Sequence, residues 1–315
     1  MVPGTWRDEA RGSRTPDMKS GLKNSLLLAE MTKNLRRLLA WPVLTALTGA
    51  SQPAVDKSAF DLFNPTPTEY LRELTTDDRG ATETPYTVDA GHFQFEMTLL
   101  SYTADRDSSN SGTLRRDAWA FAPITLKVGL LNQLDAQLGL EPYQLVYERE
   151  GTNRLTRRGF GDTTVRLKYN FWGNDAGRTA FAAMPFVKFP TSAEGLGNRS
   201  VEGGLILPLA VALPLDFDMG LKTRFDAVRD DDERDYHAEF INSVALSHDL
   251  FGNLAGYVEF LSAVSTKRGT GWMGTFDTGL ICALTDDVQL TAGASIGLTR
   301  SAEDWNLFAS LAWRF

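Results

Sequence analysis

The stretch that decides the fold is the run of eleven residues at the end of the chain, Trp305-Asn306-Leu307-Phe308-Ala309-Ser310-Leu311-Ala312-Trp313-Arg314-Phe315. Every second residue from Trp305 to Phe315 is apolar, and the alternate row carries Asn306, Ser310 and Arg314. A period of two predicts a β-strand with one apolar face. A tilted strand that crosses a bilayer needs about 9–11 residues, so this strand is long enough to span a membrane.

The aromatic ring of Phe315 resembles the C-terminal strand signal of bacterial outer-membrane β-barrels, which typically ends in Phe or Trp. The resemblance implies that the strand ending at Phe315 is recognised by the barrel-assembly machinery. It also implies a location in the cell outer membrane, with outer-membrane lipid and lipopolysaccharide around the protein.

The composition excludes several other classes of protein. The formal net charge of -8 argues against nucleic-acid binding, which requires a basic face. No apolar run approaches the roughly 20 residues of a membrane helix, and the mean hydropathy is -0.22. A spanning barrel is compatible with that value, because lipid-facing and lumen-facing residues alternate along each strand. With Cys282 as the one cysteine, no intrachain disulfide or cysteine-cluster metal site can form, and without a Gly-rich phosphate loop we predict no cofactor.

The amino-terminal part of the chain has the pattern of a secretory signal. Met31 is followed by basic residues and then by the apolar run Leu38–Leu47, with small residues near position 50. We therefore predict a signal peptide at 31–51, and an extension at 1–30 that reflects a start assigned too early. Residues 52–90 are rich in Pro, Thr and Asp, and we interpret them as a periplasmic lead-in or a small plug. The barrel is predicted over 91–315.

From residue 91 the chain repeats alternating segments separated by turns, about twelve in all. In the second segment the alternation places Trp119 on the polar face with Lys127. Pro185 and Pro208 fall inside two segments, where we expect β-bulges. The predicted strands are His92–Tyr102, Arg115–Leu130, Gln133–Tyr147, Thr164–Phe171, Thr179–Phe189, Val201–Leu213, Phe217–Val228, Tyr236–Ser247, Asn253–Ser265, Trp272–Leu284, Val288–Thr299 and Trp305–Phe315.

The connections between these segments alternate in length. Long charged connections are predicted at Asp105–Thr113, Glu148–Arg158, Pro190–Arg199 and Arg229–Asp235, whereas the intervening turns, such as Leu131–Asn132, are mostly tight. Bacterial barrels have long extracellular loops and short periplasmic turns. Alternation alone would also fit a soluble β-sandwich. Together with the signal and Phe315, however, it favours an all-β fold, a single antiparallel up-and-down transmembrane β-barrel.

Four stretches resemble a family of outer-membrane transporters labelled as the MetA pathway of phenol degradation. The resemblance covers roughly residues 75–315 and implies an outer-membrane barrel. It does not identify phenol as the cargo, and it supplies no catalytic residues. The stretches are Thr82–Glu96 (TETPYTVDAGHFQFE), Gly159–Asn170 (GFGDTTVRLKYN), Pro185–Thr191 (PFVKFPT) and Leu284–Leu290 (LTDDVQL).

If the apolar rows face lipid, the charged side chains between them point into the lumen. We expect a narrow lumen, and a passive outer-membrane channel or transporter for a small solute, of aromatic or hydrophobic character, rather than an enzyme. Two alternatives stay open: a barrel hydrolase that uses His237 with Glu239, and a closed structural or adhesive barrel. The lumen-lining candidates are Glu96, Lys127, Asp135, Glu141, Arg166, Lys168, Lys188, Glu202, Lys222, Arg224, His237, Glu239, Glu259 and Asp277.

Overall fold

A computed structural model describes residues 56–77, 80–109, 112–230 and 235–315. The predicted extension at 1–30 and the predicted signal peptide at 31–51 lie outside the described residues. Most of the acidic run within the predicted Arg229–Asp235 connection also lies outside them.

Nearly all regular structure in the described residues is β-strand, and every paired strand runs antiparallel to its neighbour. A short 3-10 helix at Thr68–Tyr70 precedes the strands. Among the described residues, no helix is long and apolar enough to cross a membrane. The strands are β1 (Phe93–Ser109), β2 (Gly112–Phe121), β3 (Ile124–Leu131), β4 (Leu134–Leu140), β5 (Tyr143–Glu150), β6 (Asn153–Gly159), β7 (Thr163–Trp172), β8 (Thr179–Phe189), β9 (Glu202–Ala212), β10 (Phe217–Arg229), β11 (Tyr236–Phe251), β12 (Leu254–Ser265), β13 (Met273–Thr285), β14 (Val288–Gly297) and β15 (Trp305–Arg314).

The fifteen segments make twelve barrel strands, because three pairs of segments each continue one strand. β2 and β3 both pair with β1 and are separated only by Ala122 and Pro123. In the same way β4 continues into β5, and β6 into β7. Pairing of β1 with β15 then closes the sheet. The predicted twelve-stranded antiparallel barrel is therefore confirmed.

The two faces of the barrel wall have opposite chemistry. Apolar side chains on the outer face are exposed, as at Leu280 and Trp313, each 50% exposed. Charged side chains on the inner face are buried, as at Asp135 and Lys168, which are 0% and 1% exposed. In water this arrangement would be unfavourable, because apolar side chains would be exposed to solvent while charged side chains were buried. The outer face must therefore contact lipid, which excludes the soluble sandwich.

Aromatic rings gather near both rims of this outer face. At the rim that carries the long connections, the ring centroid of Tyr102 lies 4.1 Å from that of Trp119 and 5.0 Å from that of Trp305. At the rim that carries the short turns, Phe93 and Phe315 stack at 5.8 Å. In membrane proteins, belts of aromatic side chains lie at the two membrane–water interfaces.

The bulges expected at the two prolines are absent. Pro185 pairs with Leu205, and Pro208 with Lys222, in registers that are the same on both sides of each proline. On the β7 side of Pro185, two pairs drop out of the ladder without a change of register. Because proline has no N–H, hydrogen bonds are lost from the ladder, but no extra residue is inserted into the strand as a bulge would require.

Two of the predicted charged loops are in fact strands. β1 continues to Ser109 and β2 begins at Gly112, while β5 continues to Glu150 and β6 begins at Asn153. The pairing of β1 with β15 ends at Ala104. Residues 105–109, 112–121, 143–150 and 153–159 therefore form a four-stranded sheet whose outer part continues past the end of β15; we refer to it as the extension.

The break at Pro123 also reverses which alternate residues face outward. Ile124 pairs with the outward-facing Met97, so even-numbered residues of β3 face lipid. Across Ala122, whose φ of 50° is in the left-handed region, the phase changes, and Trp119 of β2 packs on the outward-facing Tyr102. The predicted position of Trp119 on the inner face with Lys127 was therefore wrong, because an unbroken alternation does not allow for this kink.

Candidate functional site

The candidate site is the interior of the barrel, toward which the alternation directs the fourteen predicted lumen-lining side chains. None of them is exposed. Nine are buried and five are partly buried. The buried ones are Glu96, Lys127, Asp135, Lys168, Glu202, Lys222, Glu239, Glu259 and Asp277; the others are Glu141, Arg166, Lys188, Arg224 and His237.

These wall residues do not only pair with one another, because the chain that precedes β1 contacts many of them. We call residues 56–92, of which 78 and 79 are not described, the lumenal segment. At its beginning, Arg72 contacts Asp89 of the same segment at 3.2 Å and Asp175 of the β7–β8 turn at 3.0 Å. Arg314 of the last strand donates to the carbonyl of Arg72 at 2.6 Å. The segment is thus held at the rim that carries both ends of the barrel sequence.

Asp77 is the central charge of the lumenal segment. Its carboxylate lies 2.5 Å from the Lys127 ammonium and 2.8 Å from the Lys168 ammonium. Lys127 also lies 2.5 Å from Glu96. These four side chains are almost completely buried, and they connect the segment to β1, β3 and β7. A buried charge is stable only with such partners.

The two lysines determine the charge state of Asp77. Burial alone would raise the pKa of the Asp77 carboxyl, but the ammonium groups of Lys127 and Lys168 outweigh it and hold the pKa well below its usual range. Asp77 is therefore ionised at neutral pH, and removing its charge would leave two buried ammonium groups with fewer partners.

Further along, the lumenal segment crosses to the opposite wall. Glu259 of β12 accepts hydrogen bonds from the Ala81 amide at 2.8 Å and the Thr82 hydroxyl at 2.6 Å. Lys222 of β10 contacts Glu83 at 3.0 Å and donates to the carbonyl of Ala81. Wall contacts on both sides of the lumen thus place the segment across its cross-section.

Nearer the rim that carries the long connections, the wall charges pair with one another. Lys188 lies 2.5 Å from Glu202, and Arg224 lies 2.7 Å from Asp226 and over the ring of Phe186. This part of the lumen is lined by both signs of charge, as expected for a polar conduit.

His237 does not have the surroundings of a hydrolase. Its Nδ1 lies 3.0 Å from Asp230 and its Nε2 lies 3.1 Å from Glu239. A serine hydrolase needs one ring nitrogen on a carboxylate and the other on a serine hydroxyl. Here both nitrogens contact carboxylates. Among the described residues, no group of three or more His, Cys, Asp and Glu side chains is placed to hold a metal ion.

The alternation along the strands predicts the wall charges but not their partners in the lumenal segment, Asp77, Thr82 and Glu83. Thr82 and Glu83 begin the first stretch that resembles the transporter family, which was a usable signal. Asp77 stands in a polar run with no periodicity, and nothing in the sequence singles it out.

Comparison with known proteins agrees with this geometry. Residues 76–315 match the family described as "Putative MetA-pathway of phenol degradation". The chain belongs to this family. No curated protein matches it in sequence.

Among solved structures, the chain is similar to an outer-membrane channel from Pseudomonas putida F1. The TM-score is 0.52 at 13% identity, over 77% of this chain and 100% of that one. The translocator domain of the autotransporter NalP from Neisseria meningitidis (TM-score 0.44, 10% identity, 71% of this chain and 88% of that one) and the NanC porin (0.45, 10%, 70% and 98%) are more distant. The family and the fold show that this protein is an outer-membrane β-barrel.

Proposed function

We propose that this protein is a passive outer-membrane channel for small solutes, narrowed by its lumenal segment. The observation that carries the proposal is the closed twelve-stranded wall with paired charges inside and apolar side chains outside. Twelve strands lie between small filled barrels of about 8 strands and open porins of 16–18. Cargo would move down its gradient, and catalysis has no part in the proposal.

The solute class follows from what could pass such a lumen. With Asp77 and Thr82 bound to opposite walls, a path past the lumenal segment is narrow, which favours small molecules. The family description concerns phenol degradation, which favours an aromatic or hydrophobic solute. The guanidinium of Arg224, 4.6 Å from the centre of the Phe186 ring, is an inward-facing aromatic contact of the kind that such a solute would meet.

Planar-bilayer recording tests the proposal. The wild-type protein should conduct in small steps. Asp77→Asn should open more often or in larger steps, because Lys127 and Lys168 lose their shared carboxylate and the segment is held less tightly. Asp56→Asn is the matched control, since the exposed Asp56 carboxylate contacts nearby Ser58, whose amide donates to it at 2.9 Å, and it forms no ion pair with another described residue.

Different results point to the alternatives. If neither the wild type nor Asp77→Asn conducts, and liposomes containing either protein do not take up small solutes, the protein is a closed structural or adhesive barrel. A hydrolytic activity that is lost in His237→Ala, with barrel insertion unchanged, would support the hydrolase instead.

A further inference from the structure

The outer face of the extension carries a row of arginines in direct register. Arg106 of β1 pairs with Arg115 of β2, Arg115 pairs with Arg149 of β5, and Arg149 pairs with Arg154 of β6. All four side chains are exposed. At the usual spacing of neighbouring strands, the row is about 14 Å long. We call these four residues the arginine row.

A row of like charges is unfavourable for the sheet by itself, because directly opposed like charges repel. Asp117 is the one acidic side chain on this face of the described extension, and it contacts Arg115 at 2.9 Å. Among the described residues, Arg106, Arg149 and Arg154 have no carboxylate within ion-pair distance. The arginine row therefore has more positive charge than the protein neutralises.

The inner face of the same extension is arranged differently. One residue along each strand, Asp105 pairs with Arg116, and Arg116 pairs with Glu148. Arg157 then lies 3.0 Å from Glu148. Charges alternate across these strands on the inner face and accumulate on the outer face. The excess of positive charge therefore belongs to the outer face of the extension, and the extension as a whole is not uniformly basic.

The position of the row relates it to the membrane surface. Arg106 follows Tyr102 by four residues on β1, which is about 13 Å along the strand. Tyr102 and Trp119 mark the aromatic belt, and Arg158 lies in register with them through Leu145. The row thus lies on the lipid-facing side, just beyond the belt at the rim that carries the long connections. A shallow surface groove of about 670 Å³ is lined by Arg115, Arg149 and the turn at Gly151, with Glu150 also at its edge.

We propose that the arginine row binds the phosphorylated headgroup of an outer-leaflet glycolipid, the lipid A part of lipopolysaccharide. Guanidinium groups form charge-assisted, often bidentate hydrogen bonds with phosphate, and such bonds are stronger than neutral ones. Phosphates at this level would neutralise the row and relieve its internal repulsion, while the acyl chains cover the apolar wall below. The proposal does not depend on whether the barrel conducts.

Native mass spectrometry of the detergent-solubilised protein tests it, with bis-phosphorylated lipid A as the probe. Arg149→Gln with Arg154→Gln should weaken lipid A binding about tenfold or more, because two phosphate contacts are removed. Arg268→Gln with Arg300→Gln is the matched control. It removes the same charge from two exposed arginines in other connections at the same rim, and it should bind like the wild type.

A second measurement shows that the row variant is folded. Its unfolding temperature without lipid A should equal or exceed that of the wild type, because a like-charge pair has been removed. Equal binding by the wild type and the row variant would overturn the proposal, and so would an equal loss in the control, which indicates a general charge effect. Tight binding of dephosphorylated lipid A, or competition by inorganic phosphate at similar concentration, would also overturn it.

Discussion

Gly129 shows how closely the lumenal segment approaches the barrel wall. Its carbonyl accepts from the Gly91 amide at 2.9 Å, and its own amide donates to the carbonyl of His92 at 3.0 Å. A Cβ at this position would collide with the backbone oxygen of Asp89. Backbone cannot move aside as a flexible side chain can, so glycine is required where the segment enters the barrel.

Replacement of this glycine should loosen the segment. We expect the Gly129→Ala channel to have a higher conductance than the wild type. Its free energy of unfolding should be lower by about 1–3 kcal/mol, the usual result of overpacking. Gly139→Ala is the control, because its Cβ would meet Thr164 at an ordinary 3.5 Å. Bilayer currents and unfolding curves measure both effects. Unchanged currents in Gly129→Ala would show that the segment does not limit conduction.

At this scale the sequence predicts orientation better than contact. A period of two was enough to place Lys127 and Lys168 inside, because alternate residues of a strand face opposite sides. Their partner Asp77 lies 50 and 91 residues away along the chain and outside any strand. Contacts of that kind depend on how a non-repetitive segment crosses the lumen, which no local pattern encodes.

Among the elements, β15 is the one that the sequence identified most directly. The structure pairs it with β14 on one side and β1 on the other. Its final ring, Phe315, is 59% exposed and stacks on Phe93, while the two backbones exchange hydrogen bonds of 2.9 and 3.0 Å. The hydrogen bonds that close the barrel at this point use backbone groups, and more than half of the Phe315 side chain stays exposed beside its ring contacts with Phe93 and Trp313. Its recognition by the barrel-assembly machinery stays a prediction.

Replacing Phe315 distinguishes a role in recognition by the barrel-assembly machinery from a role in the stability of the folded barrel. Phe315→Ala should lower the amount of folded protein in the outer membrane of cells several-fold, but should leave refolding into detergent nearly unchanged. Phe171→Ala removes a similarly exposed aromatic ring from β7 and is the control. Heat-modifiable migration in gels reports folded protein in both settings. An equal loss in detergent would mean that Phe315 acts through stability.

The extension is the element that the sequence predicted worst. Its strands carry charge on both faces, which resembles a solvated loop, and the kink at Pro123 reverses the phase of the alternation. A search for strands that each have one apolar face cannot detect a sheet that lies largely outside the hydrocarbon core of the membrane. The positions of Arg115 and Arg149 opposite each other became visible only through the pairing.

For the whole molecule, the segregation of charge and apolar surface predicts where substitutions are harmful. Val258 lies within β12 and is 43% exposed on the lipid-facing side. We expect Val258→Arg to lower the free energy of unfolding in lipid vesicles by about 2–4 kcal/mol, since a charge would enter hydrocarbon. Val258→Ala controls for the lost volume. Tryptophan fluorescence during denaturation measures both, and a tolerated arginine would place Val258 away from lipid.

Architecture was the most predictable level, because it rests on many weak signals that agree. Alternation repeated about twelve times, turns of alternating length and the strand at Trp305–Phe315 all indicated one barrel, although two loops, two proline bulges and the face of Trp119 were predicted wrongly. Errors in single strands did not change the strand count. What passes through the lumen depends on the packing of residues 56–92, and it stays a proposal.

The bonded pair of Phe93 and Phe315 has a consequence for how the molecule is made. β1 completes its ladder only by pairing with β15, a strand that is far from it along the chain. Contacts so distant along a chain form slowly. Until β15 has paired with β1 the wall stays open, and its apolar outer rows and unpaired strand edges stay accessible to other chains.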